Sequence, residues 1–257
     1  MIKKIQNIID KKNKSKIVCL TAYSKNIAKI LDKYCDIVLV GDSMANVLYG
    51  LKDTHKISMK NIIQHTKSVK MGIIKSLLVV DMPKGTYPNI ETAKKNAKQI
   101  IKMTKCDAVK IESNNKNFNI IKEFVKSNIP VMGHIGYTPQ FKKKFKIEGN
   151  TVKKAKKLLK EALQIEKAGA FCIVLECLAP IASKLISKKL KIPTIGIGSS
   201  NYCDGQILVT DDMLGLSGFY PKFVKKYANL EKIIDAATKK FSKDVRSGEF
   251  PKNINSF

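Results

Sequence analysis

The feature that most limits what this chain can fold into is a rhythm. Short apolar runs, each closed by a polar residue or a glycine, recur along the sequence and are separated by longer stretches with helical spacing. KIVCLT (16–21), DIVLVG (36–41), LLVVD (77–81), AVKIE (108–112), IPVMGH (129–134), FCIVLE (171–176), IPTIGIG (192–198) and a weaker GLSGF (215–219) bring the count to eight. Nearly continuous hydrophobic strand interiors belong to strands covered on both faces, which is the condition of a parallel sheet with helical crossovers. Eight such units in 257 residues predict an α/β chain closed as a (β/α)8 barrel, with a doubly wound open sheet as the main alternative. The expected organisation is a single domain over 1–257, which includes a short N-terminal helical extension at about 1–15. Helical patterns fall at 25–34, 58–71, 89–104, 116–126 and 151–168, the third with Glu91 near its start and the last ending at Gly169.

A parallel barrel carries its chemistry at the carboxyl ends of its strands. The last residues of successive runs therefore sample one surface: Asp42 and Ser43, Asp81, Lys110 and Glu112, His134, Glu176, and the glycines Gly196 and Gly198. Any one of these is an ordinary residue of a strand-to-helix turn. Six ionisable groups at one mouth are hard to explain as caps. Asp42 poses the sharpest question, because a carboxylate at the edge of an apolar interior costs free energy unless a partner or a metal compensates it.

Asp42, Asp81 and Glu112 are hard oxygen ligands with no Cys beside them, a set that favours Mg2+. A 2-oxo acid could chelate such an ion through its carboxylate and keto oxygens, and the ion would stabilise the enolate left when the adjacent carbon loses a proton. Lys110 and Glu112 are two apart on one strand, so both side chains point into the mouth. A cation at Lys110 would hold anionic substrate oxygens, and a Schiff base is its rival role. Glu176 follows the apolar run 172–175, a setting that suits a carboxylate to general-base work.

The rest of the sequence narrows the partners. A net charge of +27 invites a nucleic-acid reading, yet the only arginine is Arg246, and bidentate reading of bases and phosphates favours arginine. The lysines are spread over every helical segment. They read as a solvated surface with weak adhesion to polyanions and no specific nucleic-acid function. Six scattered cysteines without a C-x-x-C spacing indicate buried reduced thiols and no zinc site. No apolar run approaches the roughly 18 residues of a membrane span, and the N-terminus lacks a signal-peptide core, so a cytoplasmic protein is expected. The G-x-G at 196–198 has Asn201 where a dinucleotide fingerprint needs its third glycine, which argues against NAD. His55 and His65 lie away from the strand ends and read as surface or cap residues.

In order and together, KIVCLTAY, VLVGDSMANVLYG, LLVVDMP, AVKIE, IPVMGHIGYTPQ, VLECLAP, IPTIGIG, CDGQILV and YPKFVKKY resemble the ketopantoate hydroxymethyltransferase family of the phosphoenolpyruvate/pyruvate-like barrels, over about 16–227. The resemblance implies Mg2+-dependent transfer of a one-carbon unit from 5,10-methylenetetrahydrofolate to 3-methyl-2-oxobutanoate, within pantothenate and coenzyme A biosynthesis. It implies metal and ketoacid roles for Asp42 and Asp81, a metal role for Glu112, at times through water, and ketoacid binding by Ser43 and Lys110. Glu176 matches the proton acceptor, and His134 lies in a segment that hydrogen-bonds near substrate. It further implies a cytoplasmic homo-oligomer, commonly a decamer. A lyase or mutase of the same superfamily is the alternative reaction. Segment 141–150, FKKKFKIEGN, departs from the family's glycine-rich lid and is a few residues shorter.

Overall fold

The structure is a computed structural model that describes every residue except 1, 2, 114–116, 143 and 219. By contact density the chain divides into two compact units, Met1–Val209 and Thr210–Phe257. The first contains a closed parallel barrel in which each strand pairs with the next and the eighth pairs with the first. Its strands are β1 (Ile17–Thr21), β2 (Ile37–Val40), β3 (Leu77–Asp81), β4 (Ala108–Glu112), β5 (Val131–Gly136), β6 (Cys172–Glu176), β7 (Thr194–Ile197) and β8 (Gly205–Leu208). Helices α1 (Lys3–Ile9), α2 (Lys25–Leu31), α3 (Met44–Val47), α4 (Met59–Lys70), α5 (Ile90–Thr104), α6 (Phe118–Lys126), α7 (Val152–Lys167) and α8 (Pro180–Lys189) accompany them. The second unit holds α9 (Thr210–Leu214) and α10 (Leu230–Arg246).

The last strand is not where the rhythm put it. Residues 215–218 form a turn and bends, and Phe219 lies outside the described residues. β8 is instead the short GQIL of Gly205–Leu208, reached from β7 by a loop without a helix. The expected helix at 116–126 begins at Phe118, and Lys116 also lies outside the described residues.

Local sequence accounts for the helix ends. Ser58 and Asn61 form a reciprocal capping box at the start of α4, Asn89 caps α5 through the Thr92 amide, and Thr151 caps α7 through that of Lys154. Gly169, at φ +99°, follows α7 in the left-handed conformation.

Two apolar clusters follow from strand alternation. One packs residues such as Val38, Val40, Leu78, Val80, Val109 and Ile111 against the surrounding helices. The other fills the barrel with Ile17, Cys19, Ile37, Leu39, Leu77, Val79, Ala108, Met132, Cys172, Val174, Ile195 and Ile207, joined by Ile5 and Ile8 of α1. Continuing the inward parity one step brings Asp81, Lys110, Glu112, His134 and Glu176 above this apolar filling. All six cysteines are buried free thiols. No helix among the described residues is long and apolar enough to cross a membrane.

Candidate active site at the carboxyl ends of the strands

Strand register sets the neighbours. Asp81 on β3 lies opposite Lys110 on β4, Glu112 opposite His134 on β5, and Gly136 opposite Glu176 on β6. The first pairing yields an ion pair in which Lys110 Nζ donates to Asp81 Oδ1 at 2.6 Å. The other Asp81 oxygen accepts the Asp42 backbone N–H at 3.1 Å, so the turn after β2 is held against β3. Gly41 makes this approach possible, since a Cβ there would lie 2.9 Å from Ser43 Oγ and 3.5 Å from Asp81 Oδ2.

Gln140, fully buried four residues beyond β5, continues the network. Its side-chain amide donates to Asp42 Oδ2 at 2.9 Å and to the Met82 carbonyl at 3.0 Å, while its backbone N–H donates to Glu112 Oε2 at 3.0 Å. His134 then spans two carboxylates, with Nδ1 3.6 Å from Glu112 Oε1 and Nε2 3.2 Å from Glu176 Oε2. Asp42, Asp81, Lys110, Glu112, His134 and Glu176 thus belong to one connected cluster. Ser43 stands beside it, 2.9 Å from the hydroxyl of Tyr23.

Burial, followed by the charges of Asp81 and Glu112, pushes the Asp42 carboxyl up to about 8 against the pull of Lys110 and Gln140. Burial opposes the charge of Lys110, but Asp81, Glu112 and Asp42 outweigh it and hold the ammonium above its ordinary value. Burial and Lys110 oppose the charge of His134, which Glu112 and Glu176 nevertheless raise to about 9. The cluster therefore has more carboxylates than cations, and Asp42 bears the deficit. Glu112 Oε1 is a buried oxygen that faces His134 Nδ1 at 3.6 Å, too far for a hydrogen bond. Both observations fit a site that takes a cation. The side chains themselves are turned toward Lys110, Gln140 and His134, and among the described residues no group of three or more His, Cys, Asp or Glu is arranged to hold a metal ion.

Outside the cluster, His65 tethers the β1 loop by donating from Nδ1 to the Tyr23 carbonyl while its Nε2 faces Tyr49 Oη. His55 donates from Nε2 to the carbonyl of Pro139 and accepts from Lys84 at Nδ1. Gly196 is a packing glycine, since a Cβ there would meet the Gln206 side chain and Cys203. Three residues had no role in the sequence reading: Tyr23, Tyr87 and Gln140. The available signal was position alone, a polar or aromatic side chain just past a strand end.

A profile of the family described as ketopantoate hydroxymethyltransferase matches residues 2–253. The chain belongs to this family. It is 52% identical over 257 residues to the 3-methyl-2-oxobutanoate hydroxymethyltransferase of Pelagibacter ubique, with 100% of both chains covered. To that of Anaplasma marginale it is 44% identical over 254 residues, covering 98% of this chain and 92% of the other. As a ketopantoate hydroxymethyltransferase family member the protein is an enzyme, a hydroxymethyl transferase of pantothenate biosynthesis. Among solved structures, phosphonopyruvate hydrolase in complex with oxalate and Mg++ superposes with a TM-score of 0.63 at 12% identity, covering 98% of this chain and 93% of that one. A 2,3-dimethylmalate lyase, described as a PEP mutase/isocitrate lyase superfamily member, gives 0.63 at 14% identity with 96% and 89% covered. Identities this low show a shared barrel fold.

Proposed function

We propose that the barrel mouth carries out Mg2+-dependent transfer of a one-carbon unit from 5,10-methylenetetrahydrofolate to 3-methyl-2-oxobutanoate, giving 2-dehydropantoate. The observation that carries this reading is the connected buried cluster running from Lys110 and Asp81 through Asp42 and Glu112 to His134 and Glu176. Asp42 and Asp81 would hold the metal, with Glu112 behind them. A bound divalent cation supplies Lewis-acid polarisation of a carbonyl. The phosphonopyruvate hydrolase of the same fold was solved with Mg++ and oxalate, which accords with this choice.

The protein's own groups divide the remaining work. Lys110 keeps a positive charge at the mouth for the ketoacid oxygens, and its pairing with Asp81 fixes the ammonium. That pairing favours electrostatic binding over Schiff-base formation, because a nucleophilic amine has to be neutral. Ser43, half-buried beside Tyr23, offers a hydroxyl to the ketoacid. Glu176 is the acid of the cluster that keeps partial exposure, 19% of its side chain, so it can meet a substrate while His134 steadies its carboxylate. It takes the proton from C3, and that carbon then bonds to the methylene carbon. Both C–N bonds of the methylene group break, water supplies the hydroxyl oxygen, and tetrahydrofolate leaves with the two protons on its nitrogens. We place the enzyme in the cytoplasm as a homo-oligomer, following the family resemblance.

The direct test is formation of 2-dehydropantoate from the two substrates with and without EDTA. Product that requires both substrates and disappears on chelation is expected. Product formed equally well after chelation overturns the metal assignment, and a lyase or mutase product overturns the reaction.

A further inference from the structure

We propose that Gln140 is a positioning residue for the cation-binding carboxylates and that Tyr87 acts through it, the two forming an uncharged brace that orients Asp42. The inference rests on the site reading above.

The geometry leaves the amide one orientation. The Met82 carbonyl can only accept, so the Gln140 NH2 group faces it at 3.0 Å and reaches Asp42 Oδ2 at 2.9 Å. Gln140 Oε1 is then left to accept from Tyr87 Oη at 2.5 Å. Tyr87 is itself buried and makes a T-shaped contact with the Phe141 ring. A flipped amide would present oxygen to the Met82 carbonyl, and the Tyr87 hydroxyl supplies the donor that Oε1 needs in the observed orientation. Through its backbone N–H the same residue holds Glu112 Oε2, so residue 140 ties the ends of β2, β3 and β4 together. From the other side, His55 holds the carbonyl of the preceding Pro139.

Charge explains why an amide suits this place. A lysine donating to Asp42 would add a second fixed cation to the one that Lys110 already places beside Asp81, and the two together would oppose an incoming metal ion. A neutral NH2 group satisfies one oxygen of Asp42, restrains its rotation and leaves its negative charge available. An apolar residue would leave Tyr87 Oη, the Met82 carbonyl and Asp42 Oδ2 without their partner.

The test uses the full-length protein and Mn2+ as the probe, with calorimetric titration in the absence of substrate and C3 deuterium exchange of 3-methyl-2-oxobutanoate. Gln140→Leu is expected to weaken Mn2+ binding by about tenfold or more, and Tyr87→Phe by a smaller factor of about three to ten. Saturating Mn2+ should restore much of the exchange rate in both variants, a recovery that general loss of packing would not show. Tyr87→Phe should cost less in the Gln140→Leu background than in the parent, because the hydroxyl reaches Asp42 through the amide. Mn2+ affinity within twofold of the parent in Gln140→Leu, or additive losses in the double variant, overturns the brace. Should Gln140→Leu fail to fold, unchanged Mn2+ affinity in Tyr87→Phe overturns it equally. Asp42→Asn, measured in parallel, reports on the site itself: parental binding and exchange there would remove the underlying reading whatever Gln140 does.

Discussion

Asp42 is held by one neutral donor, the Gln140 amide, and crowded by carboxylates on the other side, so a negative charge there is the least compensated in the cluster. Asp42→Asn keeps the shape and removes the charge. Exchange at C3 is expected to fall by about a hundredfold or more while the melting temperature is retained or rises. Glu176→Gln should cost a factor of about 10² to 10⁴ in the same exchange, with Mn2+ binding little changed, since the base acts on carbon and not on the ion. Proton linkage gives a third expectation. Asp42 titrates near 8 in the folded protein against an ordinary value of 3.8, so its contribution to stability declines as pH rises between those values. His134, raised from 6.5 to about 9, contributes stability that is complete below about pH 6.5 and lost as pH climbs through 9. Both signs agree, and the metal-free protein should unfold at lower urea at pH 9 than at pH 6. Mg2+ should reverse much of that loss, as urea midpoints at the two pH values with and without the ion will show. At this scale Asp81, Lys110, Glu112, His134 and Glu176 were legible because parity and barrel topology fix where they point, whereas Asp42, off the inward parity of Ile37 and Leu39, reaches the cluster through the turn after β2. Gln140, Tyr87 and Tyr23 were not, because loop residues have no parity and their contacts form only after the barrel closes.

Between β5 and β6 the backbone leaves no room for a side chain at position 136. Gly136 has φ +100°, and a Cβ there would lie 2.1 Å from the carbonyl oxygen of Glu176. Gly136→Ala is therefore expected to destabilise the protein by more than about 2 kcal/mol and to displace Glu176, which urea denaturation and the C3 exchange rate measure separately. The strands themselves were readable from their apolar runs, and seven of the eight expected segments overlap observed strands. β8 escaped because it is only four residues long, opens on a glycine, exposes Gln206, and follows β7 without the helix that the rhythm led one to expect. Its partner requirement decides the matter in three dimensions: Ile17 to Leu20 need a parallel neighbour, and Gly205 to Leu208 supply it.

Across the whole molecule a charge of +27 carried almost entirely by lysine should produce adhesion without recognition. Binding to duplex DNA at low salt is expected to be weak, independent of sequence and abolished by moderate salt, as a titration of two unrelated duplexes at 20 and 200 mM salt would establish. A preference between the duplexes would contradict the lysine-surface reading. The pairing of β1 with β8 has a consequence for synthesis as well. A ribosome delivers Ile17 early, yet the strand containing it gains its second neighbour only when residues 205–208 have emerged, nearly the full length of the barrel later. Until then every nascent chain carries an open sheet edge at each end of a growing, apolar, curved array. Chains interrupted before Gly205 are thus the species most prone to aggregate, and the cell meets the folding hazard of this enzyme during translation rather than after it.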